Sequence, residues 1–300
     1  MTKTRVAVIG YGNIGKYAVE AVLSASDMEL AGVVRRDGAA NNPLPNVTFI
    51  DEKAHINTLG EVDVALLCKP TRQIKEYATR YLSQGIHTVD SFDIHGDILD
   101  LRENLHQIAE KSQATAIIAA GWDPGIDSVV RTLLESAAPV GITYTNFGPG
   151  MSMGHSVVAR SKDGVKDAMS LTIPMGTGVH RRMVYVQLEY GADLETVTRA
   201  IKSDDYFKND ELHVIPVADV SALADMGHGV NMVRKARSGF TDNQIFTFDM
   251  RINNPALTAQ IMVSCARACT KQKPGAYTMI EIPPVYFLDG NLEENIKRLV

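Results

Sequence analysis

Short β-branched apolar runs alternate with amphipathic stretches over residues 1–120, the order expected of a parallel sheet covered by crossover helices. Arg5–Ile9, Leu30–Val34, Val62–Cys68, His87–Asp90 and Thr115–Ala120 read as strands. Between them, Ile74, Tyr77, Ala78, Tyr81 and Leu82 recur at helical spacing, with Thr71 placed to cap the helix. Leu101, Leu105, Ile108 and Ala109 predict a further helix before the strand at Thr115. This half is expected to be a doubly wound α/β sheet.

At Asp123-Pro124 the pattern signals a helix start, with Asp as N-cap and Pro at the first helical position. Ile126, Val129, Val130, Leu133, Leu134 and Ala137 then share one face, and Pro139 stops the run. Beyond it the periodicity changes to strand alternation, as in Met183–Leu188 and Ile245–Met250, with Gly and Asp punctuation nearby. A second, mostly antiparallel α+β domain follows. A last apolar helix, Pro255 to about Thr270, and the strand-like Tyr277–Ile282 are expected to pack back on the first domain.

Composition narrows the functional classes. Of 300 residues, 30 are Lys or Arg and 35 are Asp or Glu, a formal charge of −5, so no global positive field draws nucleic acid or an anionic membrane. Hydrophobic residues at 45% and charged residues at 22% describe an ordinary folded chain. No apolar run is long enough to span a bilayer, and the N-terminal run ends in a Gly-rich turn, so neither a transmembrane helix nor a secretory signal is expected. Cys68, Cys265 and Cys269 make an odd count without a CxxC pair, pointing to free thiols and the cytoplasm. The histidines show no HExxH or His/Cys ligand spacing, so no metal is expected.

The chemistry starts at Gly10-Tyr11-Gly12-Asn13-Ile14-Gly15, a GxGxxG turn between a predicted strand and a predicted helix. In that setting Gly10 makes the tight turn, Gly12 lets backbone N–H groups approach a pyrophosphate, and Gly15 permits close helix packing. The next strand ends in Arg35-Arg36, where an NAD site usually carries an acidic residue. Two guanidinium groups can grip a 2′-phosphate, so NADP is favoured over NAD, although Asp37 follows at once. Ligands of open α/β sheets gather at the carboxyl ends of strands. Those positions are Cys68-Lys69-Pro70-Thr71, Asp90-Ser91-Phe92-Asp93 and Gly121-Trp122-Asp123-Pro124-Gly125. Asp93 and Asp123 could jointly hold an ammonium group there. No G-x-S-x-G elbow or hydrolytic triad is evident.

With these segments in hand, the chain resembles the meso-diaminopimelate D-dehydrogenases over nearly its whole length. The resemblance is carried by VIGYGNIG at 8–15, VVRR at 33–36, VDSFD at 89–93, GWDPG at 121–125 and FGPGMSMGHS at 147–156. It implies a Rossmann-type NADP-binding domain at 1–122 and a substrate and dimerisation domain at 123–254. It further implies that Tyr11, Gly12, Asn13 and Ile14 hold the pyrophosphate and Arg35 and Arg36 the 2′-phosphate. Cys68, Lys69, Thr71, Ser91 and Phe92 would line the nicotinamide side, bordered by Gly121, Pro124 and Gly125.

The same resemblance makes Asp93, Trp122 and Asp123 the residues at the reacting D-centre of meso-diaminopimelate. Thr172, Arg182, His228 and Asn254 would hold the distal L-centre, with Phe147, Met153 and Gly154 shaping the middle. The implied activity is reversible oxidative deamination in lysine biosynthesis by a homo-oligomer, in the simplest case a dimer. Many members of the family carry Trp where this chain has Phe147, which implies room for simpler 2-keto acids. Two other readings share the N-terminal half: a reductase of the dihydrodipicolinate type, and a non-catalytic NADP sensor.

Overall fold

In the computed structural model, which describes residues 3–40, 42–223 and 227–300, the chain falls into two units. One comprises Met1–Thr132 with Pro255–Val300, the other Leu133–Asn254.

The first unit begins with β1 (Thr4–Ile9), α1 (Asn13–Ser24), β2 (Met28–Arg35), β3 (Phe49–Asp51) and β4 (Val64–Leu67). It continues through α2 (Ile74–Leu82), β5 (His87–Asp90), α3 (Ile98–Lys111), β6 (Thr115–Ile118) and the start of α4 (Ile126–Ala137). The central strand β4 is apolar throughout because helices cover both faces: every one of its residues is buried. Ile74, Ala78, Tyr81 and Leu82 of α2 form the buried stripe that the spacing predicted. Thr71 does not cap that helix. It opens a short 3₁₀ turn, Thr71–Gln73, and its hydroxyl instead accepts the Asp93 N–H at 3.2 Å.

The second unit contains β7 (Val140–Phe147), β8 (Gly150–Ser152), α5 (Met153–Arg160), β9 (Val165–Gly176) and β10 (Val179–Leu188). It ends with α6 (Leu194–Lys202), β11 (Glu211–Pro216), β12 (Gly227–Ser238) and β13 (Thr241–Asn253). Its two sheets have the orders β11-β10-β9-β8 and β13-β12-β7. All pairings are antiparallel except β10 with β11. Val158, Val184, Val186, Val197, Ile201 and Phe207 form the core of the first of these sheets. In the second, Arg234 is buried and donates to the Ala138 carbonyl at 2.9 and 2.6 Å, satisfying an oxygen just past the end of α4.

The chain then returns to the first unit through α7 (Asn254–Cys269), β14 (Gly275–Thr278) and α8 (Leu292–Leu299). The seven parallel strands run β14-β6-β5-β4-β1-β2-β3, so the order reverses at β1 and opens a crevice at its carboxyl end. Arg267 of α7 makes a two-pronged bond to Asp27 at 2.6 and 2.9 Å. The strand expected at Tyr277–Ile282 lies earlier, because a 3₁₀ turn with a Thr278/Glu281 capping box takes over at Met279. The division between the units falls inside α4 rather than at residues 122 and 123.

Candidate active site

At the end of β1, Gly10 has φ +104°, and a Cβ there would lie 2.3 Å from the Cys68 carbonyl oxygen. A Cβ on Gly15 would lie 2.1 Å from the Gly10 oxygen, so both positions are packed against backbone. Gly12 differs: a Cβ there would meet nothing within 4 Å. It is the N-cap of α1, no side chain caps the helix, and no acidic residue occupies its first turn. Unclaimed N–H groups, open space and the positive end of a helix suit an anion such as a pyrophosphate.

Beside this turn, Arg35 donates from Nε to the Gly38 oxygen at 2.8 Å and from Nη2 to the Ala40 oxygen. Its guanidinium lies 4.6 Å over the Phe49 ring, and Tyr11 meets Phe49 edge-on at 5.0 Å. Arg36 is exposed. Lys69 is drawn aside: its Nζ lies 2.6 Å from Glu52, which also accepts from Tyr77 at 3.1 Å. The Lys69 bond holds the Glu52 carboxyl below its ordinary range. Burial pushes the Cys68 thiol up to about 12, so it is no thiolate.

The strand ends are joined by Asp90. Its Oδ1 accepts the N–H groups of Phe92 at 3.0 Å and Ala119 at 3.1 Å, coupling the loop after β5 to the loop after β6. Complete burial raises its carboxyl to about 7. After β6 the chain turns back on itself. The Asp123–Pro124 peptide is cis, Gly121 N–H donates to the Pro124 oxygen at 3.1 Å, and Ile126 N–H donates to the Gly121 oxygen at 3.1 Å. Gly125 has φ +146°, and a Cβ there would overlap the Gly121 oxygen at 1.8 Å. Asp123 and Pro124 are thus not the N-cap and first residue of α4, which starts at Ile126. The turn instead buries Trp122 and leaves the Asp123 carboxyl nearly enclosed, 4.0 Å from His95.

In the second unit, Thr172 and Arg182 stand opposite each other on β9 and β10, and Arg182 Nη1 donates to the Thr172 hydroxyl. Arg182 Nε donates to Asp210 at 2.7 Å. His155 lies 3.6 Å from the same carboxylate and 2.8 Å from the Ser152 hydroxyl, with its ring edge-on to Tyr206 and Phe207. Met153 and Gly154 begin α5 in front of it. The Phe147 N–H donates to His180 Nε2 at 2.7 Å. Burial depresses the His155 and His180 imidazoles and takes His228 down to about 4, so His228 is neutral near pH 7. Asn254 is buried at the start of α7. A cavity of about 590 Å³, lined by Asn146, Pro149, Pro174, Asp249 and Arg251 among others, takes in His228 but neither Thr172 nor Arg182.

Residues 4–90 match the oxidoreductase family with an NAD-binding Rossmann fold, and residues 121–179 match the diaminopimelic acid dehydrogenase C-terminal domain. The chain is 59% identical, over all 300 residues and the whole of both chains, to the meso-diaminopimelate D-dehydrogenase of Bacteroides fragilis. It belongs to the meso-diaminopimelate D-dehydrogenase family. The solved structure of C. glutamicum DAP dehydrogenase in complex with DAP superposes with a TM-score of 0.90 at 28% identity, covering 100% of each chain. An engineered D-amino acid dehydrogenase bound to NADP+ gives 0.89 at 27% identity, again over 100% of each. As a family member this chain is an oxidoreductase acting on CH–NH2 donors.

Several charged residues of this meso-diaminopimelate D-dehydrogenase family member escaped motif reading. Asp127 and Arg131, one helical turn apart on α4, form a pair at 3.1 Å, with Asp127 buried beside Asp123. Their i, i+4 spacing was the available signal. Asp210 and Glu52 lie far in sequence from the groups they bind, and only the folded sheets bring them there.

Proposed function

We propose that this chain oxidatively deaminates the D-centre of meso-2,6-diaminopimelate with NADP. The products are ammonia and L-2-amino-6-oxopimelate, which cyclises to tetrahydrodipicolinate, and reductive amination is the reverse. The full-length identity to a meso-diaminopimelate D-dehydrogenase carries the reading. When bound, the nicotinamide supplies the hydride acceptor, while the protein supplies orientation and electrostatics. Tyr11, Gly12, Asn13 and Ile14 hold the pyrophosphate at the open end of α1, and Arg35 and Arg36 the 2′-phosphate. The preference for NADP is supported by a β2 that ends in Arg and by the NADP+ of the engineered relative.

Asp93 and Asp123 hold the reacting ammonium beside Trp122, and a carboxylate oxygen takes one ammonium proton before the Cα–H bond breaks. Cys68, Lys69, Thr71, Ser91 and Phe92 border the nicotinamide side, with Gly121, Pro124 and Gly125 shaping the turn. Water adds to the substrate imine and ammonia leaves. Arg182 and Thr172 grip the distal carboxylate, and neutral His228 and Asn254 offer hydrogen bonds. Phe147, Met153 and Gly154 shape the middle, and the Phe147 ring leaves room for simpler 2-keto acids, to be aminated to D-amino acids.

The working form is a homo-oligomer, at its simplest a dimer, in the cytoplasm. Free thiols at Cys68, Cys265 and Cys269 support that compartment, and among the described residues no helix is long and apolar enough to cross a membrane. Absorbance at about 340 nm with NADP and the LL, DD and meso isomers tests the reaction. Reduction with meso and none with LL is expected. Tight NADPH binding without turnover of any isomer would overturn it.

A further inference from the structure

In Rossmann sites that take NAD, an acidic side chain at the end of the second strand accepts hydrogen bonds from the adenosine ribose. Here β2 ends in Arg35, yet an acidic group reaches the same level from the neighbouring strand. β3 pairs with β2 in parallel, with Asp51 opposite Arg35, so Glu52 follows level with Arg36. Its N–H donates to the Arg35 oxygen at 3.1 Å, and its own carbonyl accepts from Arg80 Nη1 at 3.0 Å. Glu52 is thereby fixed beside the end of β2. Its carboxylate is covered by a cation: Lys69 Nζ donates to Oε2 at 2.6 Å, and the Tyr77 hydroxyl donates to the same oxygen at 3.1 Å. The ammonium also lies 4.5 Å over the Tyr77 ring, and the Lys69 side chain is only 9% exposed. Its stem passes the glycine-rich turn, since a Cβ on Gly10 would lie 3.6 Å from Lys69 Cδ. A cation beside the phosphate-binding turn is thus committed to a carboxylate at the ribose end.

We propose that Lys69 is a cofactor-specificity residue, which masks the Glu52 carboxylate and so keeps the ribose end of the site open to a 2′-phosphate. The inference rests on the reading of Arg35 and Arg36 as the 2′-phosphate grip. With its charge cancelled by Lys69, Glu52 neither repels the phosphate nor competes for the ribose hydroxyls. Once unmasked it does both, opposing NADP and holding the 2′- and 3′-hydroxyls of NAD. An ion pair that served stability alone would affect the two cofactors equally, because they differ only at the 2′-phosphate.

The test is calorimetric titration of the full chain with NADP+ and with NAD+. Lys69→Met should weaken NADP+ about tenfold or more and tighten NAD+ severalfold, the scale of one charge-assisted bond gained or lost. Lys69→Arg keeps the cation and should keep the native ratio of affinities. Adding Glu52→Gln to Lys69→Met removes the bare charge and should restore that ratio. Glu52→Gln alone frees the ammonium for phosphate and should tighten NADP+ relative to NAD+. Equal losses of both cofactors in Lys69→Met, or an unchanged ratio in Glu52→Gln, would overturn the proposal and leave the preference for NADP standing. A native protein that binds NAD+ as tightly as NADP+ would overturn both.

Discussion

Arg182 has both sides of its guanidinium engaged within the second unit, Nε by Asp210 and Nη1 by Thr172, so its fork is held before any ligand arrives. Loss of the Asp210 charge leaves the side chain free to turn. A charge-assisted bond of about 1.5–3 kcal/mol corresponds to roughly tenfold or more in affinity. Asp210→Asn is therefore expected to raise the KM for diaminopimelate about tenfold with kcat little changed, read by steady-state kinetics. Asp90 carries a different consequence. Its folded carboxyl titrates at about 7 against an ordinary value near 3.8, so the folded state holds a proton that the unfolded chain releases. Its contribution is full below about pH 4 and is lost as pH rises toward 7, a change of about 4 kcal/mol. Asp90→Asn should flatten that part of the pH dependence in urea unfolding, and an unchanged slope would count against it.

At the level of the helix and its turn, the glycines of α1 separate stability from binding. Asp at position 12 enters open space and suits an N-cap, so Gly12→Asp should leave the melting temperature level or slightly raised. The same carboxylate claims the helix N–H groups and repels a pyrophosphate, and cofactor affinity measured by calorimetry should fall at least about tenfold. Gly15→Ala drives a methyl into the Gly10 oxygen and should cost about 1–3 kcal/mol. These roles were legible because the strand, turn and helix are contiguous, and β4 and α2 were equally clear from local periodicity. The turn at 121–125 was misread as a helix start because Asp-Pro carries that signal locally, whereas backbone bonds from Gly121 to Pro124 and from Ile126 to Gly121 close a turn first and the helix begins only at Ile126. Lys69 was set among the nicotinamide neighbours with no hint of Glu52 or Tyr77, since that contact depends on strand order rather than on sequence distance.

For the whole molecule, the sheet β13-β12-β7 leaves one face bare. Ile142, Lys235 and Ile245 align across it, with Ile142 52% and Ile245 62% exposed and Val140 at 56% nearby. These exposed apolar side chains, set around Lys235 at one end of the sheet, support the proposed homo-oligomer. Ile142→Asp with Ile245→Asp should convert it to monomers in sedimentation velocity, and an unaltered sedimentation coefficient would place the interface elsewhere. The return of the chain to its first unit bears on how the protein is made. Residues 133–254 are one uninterrupted stretch, while the seven-stranded sheet waits for β14, which pairs with β6 from Gly275 onward. On the ribosome the later-starting unit can thus be finished first. The cofactor-type sheet meanwhile emerges with Thr115–Ile118 as a raw edge that needs shielding until Gly275–Thr278 has left the exit tunnel.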